Sequence, residues 1–355
     1  METPALIVDK DIFEANMDAM TSLLSGTTLK LRPHYKSNKC AAIARRQIEH
    51  GAVGITCAKL SEALDLCDAG IENILIANQI TDGEKIFRVA LLAKKCHLII
   101  CVDDKDNARA LSAAAVSCGS TVYCYVEYEI GMRRCGIEDD EEYIETAELI
   151  RELPGLKYAG IQAYAGHVSH MVTEEERREH TEKEQQKIRA LKEKLIEHGF
   201  PKDLDISGGS TGTAVIKAAG GLYTELQAGS YLFLDSTYGG LQNLPFKNSL
   251  YVLSTVVSVR GNRVMLDAGV KSIGVDQGMP AVLKLEGTPV RCSLVDANEE
   301  HVKLFDPDTE LKNGEKVLLI PGHCCSTVNL YDKMYFVRGG KVVDRLEITA
   351  RGCSR

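Results

Sequence analysis

The sequence lacks the features that would place the chain in a membrane or on a nucleic acid. No apolar run approaches the roughly 20 residues that a membrane-spanning helix requires, and the first residues carry no basic region or signal core. Positive charge is also in deficit, because 42 Lys and Arg residues stand against 50 Asp and Glu, a formal charge of -8. These absences argue against a nucleic acid or an anionic membrane as the main partner.

Signs of a disulfide framework or a structural zinc module are missing as well. The twelve cysteines are scattered through apolar segments, and no Cys-x-x-Cys pair occurs. Such cysteines usually pack as small hydrophobic residues in a reducing cytosol. We therefore predict a cytoplasmic globular protein of 355 residues, long enough for two domains, with free thiols apart from any that bind a metal.

Strand-like and helix-like segments alternate over the first two-thirds of the chain. Thr173 and Glu176 have the spacing of a capping box at the start of a long, charged helix over 173–198, and Ser61 is a candidate N-cap for an earlier helix. We interpret the charge on the long helix as a solvated face. The predicted strands lie at 28–34, 54–57, 74–77, 97–102, 121–126, 158–164, 204–206 and within 226–234. Eight strands with intervening helices indicate an α/β fold with an N-terminal (β/α)8 TIM barrel.

The pattern changes after Pro245. Short alternating strands follow, and they are separated by Gly- and Asn-rich hairpin signals. We predict the barrel over 12–244 and a C-terminal antiparallel β domain over 245–355. A strand within 1–11 is expected to complete the β domain, because chain ends are often close together.

In a barrel, active residues follow the strands at one face. Lys36 follows strand one, Arg134 strand five, and Tyr164 and His167 strand six. A desolvated lysine at such a position can lose its proton and attack a carbonyl. The alternative is a surface lysine in a basic loop.

The segment after strand seven is typical of a phosphate-binding loop. Its glycines let backbone N–H groups approach an anion, its hydroxyls add hydrogen bonds, and a helix begins there. The alternative is a flexible Gly/Ser loop. The residues concerned are Ser207, Gly208, Gly209, Ser210, Thr211, Gly212 and Thr213, with Gly229, Ser230 and Tyr231 assigned to strand eight.

A lysine and a phosphate loop at one barrel face indicate pyridoxal phosphate as the cofactor. Arg134 can then hydrogen-bond the cofactor ring, and Tyr164 can pack on its face. The alternatives are a surface ion pair for Arg134 and a core aromatic for Tyr164.

A second cluster lies in the β domain. His323 and Cys325 are two residues apart, so on an extended segment they project to the same side. One imidazole and one thiolate provide half of a zinc site with open positions. The alternative is buried cysteines beside a hydrogen-bonded histidine.

Taken together, these motifs resemble the D-threonine aldolase and D-serine dehydratase family of alanine-racemase-like, fold-type III pyridoxal phosphate enzymes. The resemblance runs over essentially the whole chain. The motifs that carry the resemblance include Arg32-Pro33-His34-Tyr35-Lys36, Ser207–Thr213, Tyr223-Thr224-Glu225-Leu226-Gln227, Gly229-Ser230-Tyr231 and Asp267-Ala268-Gly269. Asn38 departs from the family pattern, where a histidine is usual.

The resemblance implies a homodimer in which Lys36 forms the Schiff base and the Ser207–Thr213 loop binds the phosphate with Tyr231 nearby. It also implies that His323 and Cys325 hold a divalent metal beside the substrate's β-hydroxyl. The thiolate favours zinc over manganese or magnesium. Aldolases of this family typically have His-x-Asp at the metal, whereas dehydratases have His-x-Cys, so the ligand pair and the wider chain point to different reactions.

We predict a lyase for D-β-hydroxy-α-amino acids, and the wider chain favours retro-aldol cleavage to glycine and an aldehyde, with His167 as the candidate base. A structural hydrogen bond is the alternative role for His167. The alternative reaction is zinc-dependent dehydration of D-serine or 3-hydroxyaspartate to a keto acid and ammonia. An amino-acid racemase is disfavoured by the metal pair, and a non-catalytic pyridoxal phosphate carrier by the β domain.

Overall fold

The computed structural model describes residues 1–355, and their contacts divide the chain into two compact units. One unit, called the barrel unit below, contains Thr21–Lys36, Ala41–Gly229 and Cys353–Arg355. The other, called the β unit, contains Met1–Met20, Ser37–Cys40 and Ser230–Gly352. None of the helices is long and apolar enough to cross a membrane.

The strands and helices are numbered in chain order. The strands are β1 (Ala5–Asp9), β2 (Lys30–Leu31), β3 (Ile55–Cys57), β4 (Asn73–Ile76), β5 (His97–Val102), β6 (Val122–Glu127), β7 (Leu156–Ala163), β8 (Asp205–Gly208), β9 (Glu225–Leu226), β10 (Leu250–Arg260), β11 (Arg263–Leu266), β12 (Ala281–Lys284), β13 (Pro289–Val290), β14 (Leu294–Ala297), β15 (Val302–Phe305), β16 (Lys316–Ile320), β17 (Lys333–Arg338) and β18 (Lys341–Glu347). The α-helices are α1 (Lys10–Leu24), α2 (Ala41–Glu49), α3 (Leu60–Asp68), α4 (Gly83–Leu92), α5 (Lys105–Cys118), α6 (Asp140–Glu152), α7 (Glu174–Glu197), α8 (Ala214–Gly220), α9 (Ser236–Gly239) and α10 (Cys324–Val328).

The barrel unit confirms the predicted (β/α)8 fold. Its eight strands form a parallel sheet in the order β2-β9-β8-β7-β6-β5-β4-β3. The two ends of this sheet meet at an isolated parallel bridge between His34 and Thr56. The Val53 N–H also donates to the Leu31 carbonyl at 2.9 Å. The seam of the barrel therefore lies beside the segment that carries Lys36.

A cluster of buried and half-buried polar side chains ties the barrel strands together from inside. Arg32 donates through Nη1 to Asn73 at 2.8 Å and through Nη2 to Glu225 at 2.5 Å. The Tyr125 hydroxyl lies 3.3 Å from Oε2 of Glu225 and 3.3 Å from Oδ2 of Asp205. We call these five residues the Arg32 cluster. Burying charges is tolerated here because they are paired and hydrogen-bonded.

The long helix predicted over 173–198 occurs as α7, Glu174–Glu197. Thr173 and Glu176 form the predicted capping box at the start of α7. The predicted cap at Ser61 is wrong, because α3 begins after Lys59, and Glu62 reaches back to the N–H groups of Ala58 and Lys59.

Strand eight is shorter than predicted. β9 covers only Glu225–Leu226, and Ser230–Leu232 is a 3-10 turn rather than part of a strand. The strand assignment of Gly229, Ser230 and Tyr231 is therefore wrong. The physical reason is a local turn, since the N–H groups of Phe233 and Leu234 donate back to the Ser230 carbonyl at 3.1 and 2.7 Å.

The β unit confirms the predicted antiparallel β fold of the C-terminal region, and β1 lies in its main sheet. Its main sheet has the order β13-β12-β16-β10-β1-β17-β18, and β11, β15 and β14 extend it from β10. All ladders are antiparallel except that between β1 and β17, in which Ile7 pairs with Tyr335. The alternating side chains of β1 are buried on both faces, so this strand lies in the middle of the sheet.

Candidate active site

The barrel unit contains a cavity at the ends of its strands. Lys36 lies in the 3-10 turn Tyr35–Ser37 that follows β2, and its Nζ is 5.9 Å from the centroid of the Tyr164 ring. The guanidinium carbon of Arg134 is 5.4 Å from the same centroid. The structure thus brings Lys36, Arg134 and Tyr164 together. The cavity is lined by His34, Lys36, Ala58, Ala77, Asn78, Arg134, Cys135, Gln162, Tyr164 and Gln227.

Two buried glutamines connect this cavity to the predicted phosphate loop. Nε2 of Gln227 donates to Oε1 of Gln162 at 2.7 Å and to Oγ of Ser207 at 2.8 Å. Both glutamines also line the cavity, and all three residues are buried. Ser207, the first residue of the loop, is therefore hydrogen-bonded to Gln227, which lines the cavity.

Arg134 has an acidic neighbour that the sequence did not indicate. Its Nη2 lies 3.9 Å from Oε1 of Glu127, and Gln79 donates to Oε2 of the same carboxylate at 2.6 Å. Burial raises the pKa of Glu127, although Gln79 and Arg134 oppose this shift. The Arg134 side chain is 50% exposed, which leaves its guanidinium accessible from the cavity.

The loop Ser207–Thr213 combines a glycine turn with buried hydroxyl groups. Gly209 has a φ of +77°, which a residue with a side chain rarely adopts. The Ser210 N–H donates to Oγ1 of Thr213 at 3.1 Å, and Ser169 donates to Oγ of Ser210 at 2.7 Å. By contrast, Oγ1 of Thr211 is buried and has no hydrogen-bond partner. A buried, unpartnered hydroxyl beside a glycine turn fits the binding of a phosphate group.

His167 lies in the 3-10 helix Gly166–His170 after β7. Its Nε2 is 3.4 Å from Oε1 of Glu184, which belongs to α7. Gly131 packs against the ring, since a Cβ there would come within 2.8 Å of Cε1. Burial lowers the pKa of His167, and the charge of His180 lowers it further. The imidazole is therefore favoured in its neutral form, which is the form of a general base.

In the β unit, His323 and Cys325 lie at the start of a short helix rather than on the expected extended segment. His323 is the N-cap of α10, and the Asp235 carboxylate accepts the Cys324 N–H at 3.0 Å. The extended geometry is therefore wrong. The side chains of His323 and Cys325 nevertheless contact each other, as expected from their spacing.

An aspartate orients the His323 ring. Nδ1 of His323 lies 2.7 Å from Oδ2 of Asp276, and Ser326 donates to the other oxygen of that carboxylate. Burial lowers the pKa of His323, but contacts with Cys325 and then Asp276 raise it to about 9 overall. Since Asp276 engages Nδ1, the ring presents Nε2 for a ligand, an arrangement common at metal-binding histidines. No group of three or more His, Cys, Asp or Glu side chains is placed to hold a metal by itself.

The remaining predicted residues are divided between the two units. Gly229 is the last residue of its segment in the barrel unit, whereas Ser230 and Tyr231 belong to the β unit. Tyr231 is buried, and its ring centroid is 5.7 Å from that of Phe246. Their roles at a cofactor stay predictions.

Sequence reasoning missed several buried polar residues around these sites. The interpretation of α7 as a solvated face is wrong for part of the helix, because Arg177, Glu184 and Gln185 are buried. Lys217, in the helix that follows the phosphate loop, is also buried. The sequence could have indicated Lys217 as a residue near the loop, since it lies one helical turn after Thr213.

Comparison with known families accounts for the combination of barrel and β domain. The profile of the alanine racemase N-terminal domain matches residues 8–237, and that of the serine dehydratase domain matches residues 249–337. The chain belongs to the alanine-racemase-like family. This assignment confirms the family resemblance that the motifs indicate.

Members of the alanine-racemase-like family that are similar over the full chain include aldolases and a dehydratase. A D-threonine aldolase from an Arthrobacter species is 41% identical over 100% of this chain and 94% of its own length. The crystal structure of D-threonine aldolase from Filomicrobium marinum has a TM-score of 0.94 and 34% identity, covering 100% of this chain and 96% of its own.

The dehydratase is D-threo-3-hydroxyaspartate dehydratase from Delftia sp. HT23. It has a TM-score of 0.88 and 25% identity to this chain, over 98% of this chain and 97% of its own. A cysteine-to-alanine variant of that dehydratase has been solved in a metal-free form.

Proposed function

We propose that this protein is a pyridoxal phosphate- and metal-dependent lyase that cleaves D-β-hydroxy-α-amino acids into glycine and an aldehyde. The observation that carries the proposal is 41% identity to a D-threonine aldolase over the whole chain. The cavity that holds Lys36, Arg134 and Tyr164 together supports it.

The barrel unit has residues that fit pyridoxal phosphate. When bound, this cofactor supplies an electron sink for negative charge at Cα of an amino acid. Lys36 would attach it, and the loop Ser207–Thr213, with the unpartnered Thr211 hydroxyl, would hold its phosphate. Tyr164 would pack against the ring, and Arg134 would orient it through hydrogen bonds.

His167 is the residue that we assign to proton removal in the cleavage. Breaking the Cα–Cβ bond requires a base that accepts the proton of the β-hydroxyl. The neutral form of His167 is favoured by burial, and its Nε2 faces Glu184. Nδ1 is then the ring nitrogen that takes the proton.

His323 and Cys325 would hold a divalent metal, and we propose zinc. A nitrogen and a sulfur ligand favour zinc over manganese or magnesium. Such an ion lowers the pKa of a coordinated hydroxyl. The Asp276 contact to Nδ1 of His323 supports the assignment, because it leaves Nε2 for the ion.

Product analysis tests the aldolase activity directly. The purified protein, supplied with pyridoxal phosphate and zinc, is expected to form glycine and acetaldehyde from D-threonine. The expectation fails if neither product forms from D-threonine or from other D-β-hydroxy-α-amino acids. For Lys36→Ala we expect loss of both cleavage and the visible absorbance band of the bound cofactor, and persistence of that band would exclude Lys36 as the attachment point.

The dehydratase is the second candidate function. Cys325 favours it, because the family's dehydratases typically have His-x-Cys at the metal. A dehydratase would release ammonia with pyruvate from D-serine, or with oxaloacetate from 3-hydroxyaspartate. Ammonia production that exceeds glycine production on the same samples would replace the aldolase proposal with this one.

The metal assignment has its own measurement. Wild-type protein and the variants His323→Ala and Cys325→Ala are loaded with zinc, dialysed, and analysed for metal content. We expect each variant to retain far less zinc than the wild type. Cys292→Ala is the matched control, since Cys292 is a free, partly buried cysteine elsewhere in the β unit. Equal zinc in all four proteins would refute the site.

We also propose that the protein is a cytoplasmic homodimer. The scattered cysteines, none of which is in a disulfide, support a reducing compartment. The family resemblance supports the dimer, and light scattering of the cofactor-loaded protein at several concentrations measures it.

A further inference from the structure

The barrel unit buries two opposite charges for which the proposed chemistry has so far given no role. Glu184 in α7 is 4% exposed and Lys217 in α8 is 2% exposed. Neither oxygen of the Glu184 carboxylate has a hydrogen-bond partner, and neither has Nζ of Lys217. Burying charged groups without hydrogen bonds is costly, so the arrangement calls for a functional reason.

Glu184 faces the base of the proposed reaction. Its Oε1 is 3.4 Å from Nε2 of His167, slightly longer than a hydrogen bond. Gly131 packs against the same edge of the ring, since a Cβ there would lie 2.8 Å from Cε1 and 3.0 Å from Nε2.

Lys217 connects this pair to the phosphate loop. Its side chain packs beneath Gly209, since a Cβ at Gly209 would lie 2.7 Å from Cδ of Lys217. The ammonium then reaches the face of Tyr223, with Nζ 3.6 Å from the ring centroid. The nearby charge of Lys217 favours the ionised form of Glu184.

We propose that Glu184 is a positioning residue for His167. Its carboxylate accepts a hydrogen bond from Nε2–H of His167, which leaves Nδ1 as the base. Lys217 favours the ionised form of the carboxylate. The inference deepens the proposed function and rests on it for the role of His167. The logic is that of other histidine bases whose tautomer is fixed by a buried carboxylate.

The protonation state of Glu184 then controls the base. Burial raises the pKa of Glu184 to about 7; Lys217 and Lys187 oppose the shift, and Glu129 adds to it. Below this pH the protonated carboxyl would donate to Nε2, so that the ring proton would move to Nδ1. His180 and Glu129 also act on His167, in opposite directions. We therefore expect cleavage to increase as the pH rises through about 7.

The kinetic test compares two isosteric substitutions in the same helix. Glu184→Gln is expected to lower kcat by roughly 100-fold and to remove the acidic limb of the pH profile. Glu182→Gln is the matched control, because Glu182 is 51% exposed and pairs with Arg189 on the surface. Lys217→Met is expected to move the acidic limb to higher pH, since it removes the cation that favours ionised Glu184.

A structural readout separates this inference from the proposed function. In 15N-labelled protein, NMR reports which nitrogen of His167 carries the proton, and His167→Asn assigns the signal. We expect the proton on Nε2 above pH 8 in the wild type and a different distribution in Glu184→Gln, with the cofactor absorbance band unchanged in both.

Two results would contradict two different claims. A wild-type pH profile and tautomer in Glu184→Gln would overturn the inference. Wild-type cleavage by His167→Asn would instead overturn the assignment of His167 in the proposed function, and the NMR measurement would still decide whether Glu184 fixes its tautomer.

Discussion

The barrel unit contains two buried charge clusters that differ in one respect. In the Arg32 cluster, Arg32 and Glu225 form an ion pair of 2.5 Å, and Asn73, Tyr125 and Asp205 supply further hydrogen bonds. Around His167, by contrast, the charged atoms of Glu184 and Lys217 have no hydrogen-bond partner. The charged residues compared, Arg32 and Glu225 against Glu184 and Lys217, are all buried, so exposure to water does not explain the difference.

The difference indicates two uses of buried charge. A paired cluster holds strands in register and gains nothing from changing its protonation state. A cluster whose charged atoms lack hydrogen bonds is costly to fold, but it can gain or lose a proton near neutral pH and so act on a neighbouring base. We therefore assign the Arg32 cluster to stability and the Glu184–Lys217 pair to function, and substitutions in each cluster can test that division.

The largest effect is expected from breaking the Arg32 cluster. Arg32→Met leaves Glu225 buried without its cation, and we expect the free energy of unfolding to fall by about 3–5 kcal/mol. Urea denaturation measures it. The double variant with Glu225→Gln should recover much of the loss, because no unpaired charge remains. A loss below about 1 kcal/mol would contradict a stabilising role.

The next effect concerns the packing of Lys217 under Gly209, in the loop Ser207–Thr213. Gly209→Ala introduces a Cβ that would approach Cδ of Lys217 to 2.7 Å at a φ of +77°, and we expect a loss of about 3 kcal/mol. Gly199→Ala is the matched control, because Gly199 has a φ of +78° and no atom lies within 4 Å of the position that a Cβ would take there. The control should lose about 1 kcal/mol. Equal losses would show that Lys217 does not restrict the loop.

A smaller effect is expected in the pH dependence of stability. The folded protein holds the Glu184 proton up to a pKa of about 7, above the ordinary value of 4.5. Between these values the native state binds more protons than the unfolded state, so this contribution to stability is present below pH 4.5 and is lost by pH 7. In Glu184→Gln, the free energy of unfolding should fall by about 2 kcal/mol less over this pH range than in the wild type. Parallel curves for the two proteins would argue against a raised pKa.

The smallest effect is expected at the edge of the Arg32 cluster. Tyr125→Phe removes a hydroxyl that lies 3.3 Å from both Glu225 and Asp205, and we expect a loss of about 1 kcal/mol. A double-mutant cycle with Glu225→Gln isolates the contribution of the hydroxyl. A coupling energy near zero would remove Tyr125 from the cluster.

The sequence predicted what depends on local pattern. The strand at 97–102 is an apolar run and occurs as β5, and the capping box at Thr173 is formed. The two-residue strand β9 has no such pattern in the sequence. Glu225 and Leu226 are extended because they pair with β2 and β8, not because of their own strand propensity.

The missed site residues depend on contacts between distant parts of the chain. Glu184 lies in a helix with many solvated charges, and only the packing of that helix on the barrel distinguishes it from Glu182. Lys36 could be placed from sequence because a motif surrounds it. Asp276 is 47 positions from His323, and no spacing rule predicts that contact.

The central position of β1 in the C-terminal sheet also has a consequence for biosynthesis. This strand is synthesised before the barrel segments, but its partners β10 and β17 are synthesised more than 200 residues after it. The nascent chain must therefore carry an unpaired apolar strand while the barrel segments are being made, which is a condition that favours chaperone binding and aggregation. A fusion or deletion at this end would disturb the middle of the sheet rather than its edge.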